Sequence, residues 1–230
     1  MTSTRAARVS HRGTVPRGTA AQKRRAQRIL AALQERYPEA HCELRWSKPH
    51  ELLIATILSA QCTDVAVNKA TPALFAHFPG PADYVASTPA EIEPFIRSLG
   101  FFRQKAKSIH AAMSTVVANF GGDVPRTMDE LLTLRGVARK TANVVLGNAF
   151  GIDEGVVVDT HVMRLARRFG LTKHTDPTKI ELDLMARFPQ ASWTELSHLL
   201  IFHGRRACKA RGNRCADDSI CQQFCSEASS

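Results

Sequence analysis

No stretch of the 230-residue chain approaches the run of roughly 18 apolar residues that crosses a bilayer. Nor does an apolar core follow the first arginines, as a secretory signal requires. Strand-like alternation of period two is absent, and no segment repeats at a fixed interval, which excludes sheet and solenoid architectures. Acidic residues are missing ahead of Glu35, whereas eight Lys or Arg precede it. Residues 1–20, rich in Ser, Thr, Gly and Arg, therefore read as a disordered basic tail that adds nonspecific phosphate affinity. A mitochondrial transit peptide shares this bias and is the alternative to a cytoplasmic, nucleoid-associated protein.

What is present is positive charge. The formal net charge is +10, while the apolar share of 44% and charged share of 23% are ordinary for a globular protein. Such an excess points to a polyanion, a nucleic acid first and an acidic membrane surface second. Cysteine is unevenly spread. Cys42 and Cys62 stand alone beside apolar helical stretches and read as inert core residues. Cys208, Cys215, Cys221 and Cys225 crowd the C-terminus, which suggests a metal site over a disulfide framework.

Apolar residues recur at helical spacing almost throughout, so the fold class is all-α. Helices are expected over 21–37, 49–60, about 64–78, 89–99, 104–120, 127–134, 140–150, 160–169, 177–188 and 193–206. The 49–60 helix is apolar nearly all round and hence central. Gly136 breaks two of these helices, and the turn Leu134-Arg135-Gly136-Val137-Ala138 between them reads as a helix-hairpin-helix. Its backbone N–H groups, with Arg139 and Thr141 beside them, suit a DNA phosphate. Lys140 then falls at a helix start, where the macrodipole disfavours a cation.

Three further stretches carry a resemblance: LLIATILSAQCTDVAVNKATPAL, LRGVARKTANVVLGNAFG and VVVDTHVMRLARR, in that order. With the terminal cysteines they resemble the endonuclease III group of the helix-hairpin-helix DNA glycosylases, from about residue 24 to 225. The resemblance implies excision of oxidised pyrimidines followed by nicking of the abasic strand in duplex DNA, by a monomer. It implies two helical domains with the DNA cleft between them. A six-helix domain would span 42–153, and 21–41 would join 154–230 in a domain bearing a [4Fe–4S] cluster.

In that resemblance Lys140 is the catalytic nucleophile and Asp159 the essential carboxylate. The awkward position of Lys140 then makes chemical sense. An amine attacks C1′ of the nucleotide only when neutral, while free lysine titrates at about 10.4. A helix start, partial burial and Arg139 all favour the neutral form. Asp159 also reads as a helix N-cap, and both roles are compatible. Gln61 matches the residue that fills the gap left by an extruded base. Phe101 matches a wedge against the opposite strand, with one of Phe101 and Phe102 pointing out and the other in. Lys209, Arg211 and Arg214 would form a phosphate clamp on the cysteine loop.

Two departures accompany the match. Ala138 stands where relatives have glycine, and alanine reaches positive φ less freely; Arg135 replaces a proline. The cysteines are spaced C-x6-C-x5-C-x3-C against the usual C-x6-C-x2-C-x5-C, so zinc is the alternative to iron–sulfur. Two other functions compete: adenine excision from mismatched DNA on the same fold, and noncatalytic structure-specific DNA binding. The adenine-excising relative lacks a lysine at the hairpin position and carries an extra C-terminal domain, which speaks against the first; the presence of both Lys140 and Asp159 speaks against the second.

Overall fold

Helix ends are written into the sequence, and the computed structural model, which describes residues 17–211 and 215–225, follows them. Thr19 opens α1 (Ala20–Arg36) through a reciprocal cap: its hydroxyl accepts from the Gln22 N–H, and the Gln22 side chain accepts from the Thr19 N–H. Thr19 and Ala20 thus belong to a helix and its cap, which corrects a tail drawn to residue 20. The rest of the expected tail, 1–16, lies outside the described residues.

Seven helices come next: α2 (Pro49–Leu58), α3 (Asp64–His77), α4 (Pro81–Ala86), α5 (Pro89–Ile96), α6 (Phe102–Phe120), α7 (Met128–Leu131) and α8 (Arg139–Phe150). The chain ends in α9 (Thr160–Arg168), α10 (Pro177–Arg187), α11 (Trp193–Arg206) and α12 (Ser219–Phe224). The described residues contain no strand, and none of their helices is long and apolar enough to cross a membrane. Proline opens α2, α4, α5 and α10, where its missing N–H is not needed. Two short helices exceed the sequence expectation. Each has a local cap, Asp83 closing back on the Gly80 N–H and Asp218 accepting from the Cys221 N–H, but too few turns for periodicity to show.

Two hydrophobic clusters hold these helices. In the first, α2 is buried along its whole length from His50 to Leu58 and packs against α3, α6 and α8. Leu52, Leu53, Ile54, Leu74, Ile109 and Val145 are fully enclosed there, each contributing about 1.5–3 kcal/mol. The second cluster joins Ile29 and Leu33 of α1 to Leu165, Leu184, Leu200 and Phe202. The first helix thus packs with the last ones.

A polar seam runs between the clusters. Asp153 Oδ1 accepts from the Thr194 N–H at 2.8 Å and from its hydroxyl at 2.6 Å. Gly147 of α8 makes this approach possible, because a Cβ there would collide with Thr194 Oγ1. Burial, with His41 nearby, pushes the His198 imidazole down to about 4, so a neutral ring meets Asn148 Oδ1 at 2.8 Å. Residues 156–158 form a short buried extended run pinned where the Val157 N–H donates to Ser197 Oγ. That run delivers Asp159 to the seam.

Candidate active site and metal centre

Three helix starts converge on a cavity of about 1150 Å³ at the seam: Asp64 from α3, Lys140 from α8, and Asp159, Thr160 and His161 from α9. Helix N-termini carry partial positive charge and unpaired N–H groups, so the cavity is disposed toward an anion. Asp159 caps α9, its Oδ1 accepting from the Val162 N–H at 2.8 Å, which leaves the second carboxylate oxygen to the cavity. Lys140 is exposed at the mouth and makes no hydrogen bond or ion pair among the described residues. His161 packs on Gly204 and meets Arg164 through Nδ1.

Two expectations about the lysine need correction. Lys140 is not partly buried. Arg139 neither faces it nor offers itself to a phosphate, because its Nε donates to both carboxylate oxygens of Glu181 at 3.0 Å. Arg139 is a strut across the seam, with Asn143 donating to the same carboxylate.

The hairpin turn resolves the doubt over Ala138. Gly136 takes the left-handed conformation, φ +84°, while Ala138 is extended at φ −100°, ψ 170°, where any residue fits. Ala138 also offers no side-chain cap, so the first N–H groups of α8 stay open to an incoming anion. Arg135 and Gly136 are exposed and Thr141 half-buried. Val137 departs from its expected role at a phosphate: its side chain is buried in the first cluster, and its N–H donates to Leu134 O.

Gln61 and Phe101 share an unusual property. They are the two non-glycine residues of the described chain with positive φ, +56° and +58°. Such conformations cost about 1–3 kcal/mol and persist only where the surroundings impose them. Phe101 is 69% exposed at the start of α6, while Phe102 turns inward against the first cluster. Lys105, 6% exposed, ties the two strained turns together. Its N–H donates to Phe101 O, and its Nζ donates at 3.0 Å to the thiol of Cys62, next to Gln61. Cys62 and Cys42 pack partly buried against the first cluster, as their neighbours in sequence suggest, and also line the cavity.

Thr63 caps α3, its hydroxyl accepting from the Ala66 N–H, which leaves the Asp64 side chain to other partners. The Asp64 carboxylate accepts from Arg205 Nη2 at 2.7 Å, and Arg205 also pairs with Glu43. Burial, reinforced by the negative charge of Asp159, holds Asp64 above the usual carboxylate range, with Lys140 and His161 opposing. No local pattern marks Arg205 as its partner.

At the far end of the second cluster, all four C-terminal cysteines are buried. The sulfurs of Cys208, Cys215 and Cys221 lie within 4.8 Å of one another. Hydrogen bonds from Cys221 and Arg168 pull Cys208 down to about 6, whereas burial and the Cys208 charge push Cys215 up to about 11. The Cys208 contact also drives Cys221 upward. Three thiols this close cannot all ionise unless a cation neutralises them, which is the electrostatic signature of a thiophilic metal site. His203, fully buried, reaches Cys221 Sγ at 3.3 Å through Nε2 and Tyr37 at 2.9 Å through Nδ1. Lys209 and Arg211 are exposed on the cysteine loop; Arg214 lies outside the described residues.

A model of the HhH-GPD superfamily of base excision DNA repair proteins matches residues 54–190. Endonuclease III of Synechocystis sp. is 54% identical over 201 residues, covering 87% of this chain and 92% of that protein. The chain belongs to the endonuclease III family. Its Bacillus subtilis member is 43% identical over 198 residues, 84% of this chain and 90% of the relative. A solved non-covalent endonuclease III–DNA complex superposes with a TM-score of 0.84 at 41% identity, covering 90% of this chain and 96% of that one. A trapped endonuclease III–DNA covalent intermediate gives the same TM-score, 0.84, and covers 97% of its chain.

Proposed function

We propose that the protein is a base excision repair DNA glycosylase with abasic-site lyase activity, using the cavity between its two clusters as the DNA cleft. The observation that carries this reading is the meeting of Lys140 and Asp159 in one cavity, although nineteen residues separate them in the chain. DNA lies along the seam, its backbone phosphate on the open N–H groups of the hairpin and its damaged nucleotide turned into the cavity. Gln61 enters the vacated stack, and Phe101 presses on the opposite strand. Base extrusion costs a few kcal/mol, roughly what two rigid inserts recover.

The Lys140 amine forms a bond to C1′ as the C1′–base bond breaks, and the base departs with the electron pair. Opening of the sugar ring leaves an imine between Lys140 and C1′. Loss of a C2′ proton then expels the 3′ phosphate, and the strand is nicked with no redox change and no added metal. Asp159 stabilises the cationic character at C1′ and receives the proton that Lys140 sheds. Cys208, Cys215, Cys221 and Cys225 would hold a [4Fe–4S] cluster as four thiolates. The cluster would supply a rigid fold element behind the loop of Lys209 and Arg211, and no bond-making step.

A duplex carrying one oxidised pyrimidine tests the reading: the protein nicks it in EDTA and leaves the undamaged duplex intact. Asp159→Asn separates charge from capping, since asparagine caps a helix as well as aspartate does. Its melting temperature should match the wild type while single-turnover excision falls roughly 10²-fold or more. Excision at the wild-type rate would remove Asp159 from the chemistry.

The wedge makes an opposite-signed prediction. Phe101→Gly loses little burial and relieves the left-handed strain, so the protein should gain about 1 kcal/mol of stability. Excision from duplex should nonetheless slow several-fold. A stabilised variant with undiminished excision would mean that nothing needs the exposed ring.

A further inference from the structure

A second cavity, of about 570 Å³, opens along one face of α9. Thr160 lines both cavities, so the two meet at the first turn of that helix. Its walls carry Arg164, Arg167 and Arg168 from α9 and Lys173 from the loop beyond, and the described residues that line it include no carboxylate. Positions 160, 164 and 167 share a helix face, which makes the arrangement a stripe leading away from the lysine cavity.

Basic residues in the last turn of a helix have an ordinary explanation, since they complement its dipole. That accounts for Arg167 and Arg168 but not for Lys173, which enters the same cavity from a different segment. The anchoring of the stripe also needs explaining. Arg164 donates to the carbonyls of Gly204 at 2.9 Å and Cys208 at 3.0 Å, neutral partners that fix its position without cancelling its charge. Arg168 is held at Lys209 O, 3.0 Å away. Arg167 and Lys173 are exposed, and their side chains make no hydrogen bond or ion pair among the described residues. Arg168 also meets Cys208 Sγ at 3.1 Å, but Arg164, Arg167 and Lys173, gathered in one concavity, repel each other unless an anion sits between them.

We propose that this cavity seats a backbone phosphate of the DNA whose damaged nucleotide occupies the Lys140 cavity, with Arg167 and Lys173 as its ligands. Positions 160 and 167 are seven residues apart, a rise of about 10 Å along α9, so the phosphate belongs to a neighbour of the damaged nucleotide and not to that nucleotide itself. Arg164 and Arg168, braced on the carbonyls of Gly204, Cys208 and Lys209, set the floor of the site. The assignment rests on the DNA-repair reading of the first cavity.

The test compares wild type with the double variant Arg167→Ala, Lys173→Ala in binding lesion duplex across a salt series. Removing one cation that neutralises a phosphate lowers the slope of log affinity against log salt by about 1. The variant should therefore fall short of wild type by one to two units, with weaker binding at low salt. A scan of methylphosphonate-substituted duplexes then locates the contact. Neutralising one phosphate near the lesion should weaken the wild type and leave the variant indifferent. Coincident salt slopes and scans, in a wild type that still nicks the lesion, overturn the cavity assignment and spare the repair reading. A thermal shift with inorganic phosphate in the wild type alone, alongside coincident DNA slopes, makes it a site for free anions and also overturns it. A wild type that neither binds nor nicks the duplex overturns both.

Discussion

Lys140→Gln should bind lesion duplex and do nothing further to it. Glutamine preserves length and hydrogen bonding at the mouth of the cavity but has no lone pair that can add to C1′. Because Lys140 is exposed and makes no hydrogen bond or ion pair among the described residues, its replacement should move stability by no more than about 0.5 kcal/mol. Fold and chemistry therefore separate cleanly in this variant: melting and affinity unchanged, excision and nicking lost. Partial activity would be informative as well. A variant that still removes the base but no longer nicks would show water replacing the amine at C1′, with Asp159 alone sufficient for base loss.

Cys215→Ser should have the second-largest effect, on a different quantity. Cys215 is buried in the second cluster with its sulfur beside those of Cys208 and Cys221. A serine there leaves an incomplete ligand set, and metal binding is coupled to folding. The purified wild type should be yellow-brown with iron and sulfide, and the variant should lack both. Loss of the metal loosens the segment that Arg25 fastens to α1 by donating to Phe224 O at 3.0 Å and Phe169 O at 3.2 Å. The melting temperature of the second cluster should drop, and DNA affinity with it, because Lys209 and Arg211 ride on that loop. Colourless wild type holding one zinc per chain would contradict the iron–sulfur assignment while keeping the four-thiolate site.

What the sequence revealed about the site was local. Lys140 stood out because a cation at a helix start is odd, and Asp159 reads locally as a cap; the catalytic roles expected of both come from the family resemblance. The inward and outward division of Phe102 and Phe101 was legible as a choice; only the backbone, left-handed at Phe101, shows which residue points out. Ala138 looked like a defect by comparison with glycine, yet its backbone is extended and unstrained. Arg139 looked like a DNA contact because it adjoins Lys140, and the decisive partner, Glu181, lies forty-two residues away on α10.

The pairing of Asp64 with Arg205 has the same character, since its partners are 141 residues apart and meet across the seam. Lys105 and Cys62 meet only because α6 folds back over the end of α2. Pairings of this kind depend on how amphipathic faces dock, and helical periodicity specifies which face is buried without specifying its neighbour. The all-α class and the central burial of α2 follow from periodicity and composition, and the placement of α1 in the second cluster from the family resemblance. The third dimension of the cavity does not.

The central claim is that a covalent bond forms between Lys140 and the DNA sugar. Borohydride added during reaction with a lesion duplex reduces an imine to a stable amine, and mass spectrometry of the digested adduct locates the bond. The account predicts a single modified peptide with the sugar remnant on Lys140. A remnant on any other residue, or nicking with no trapped adduct, would contradict it.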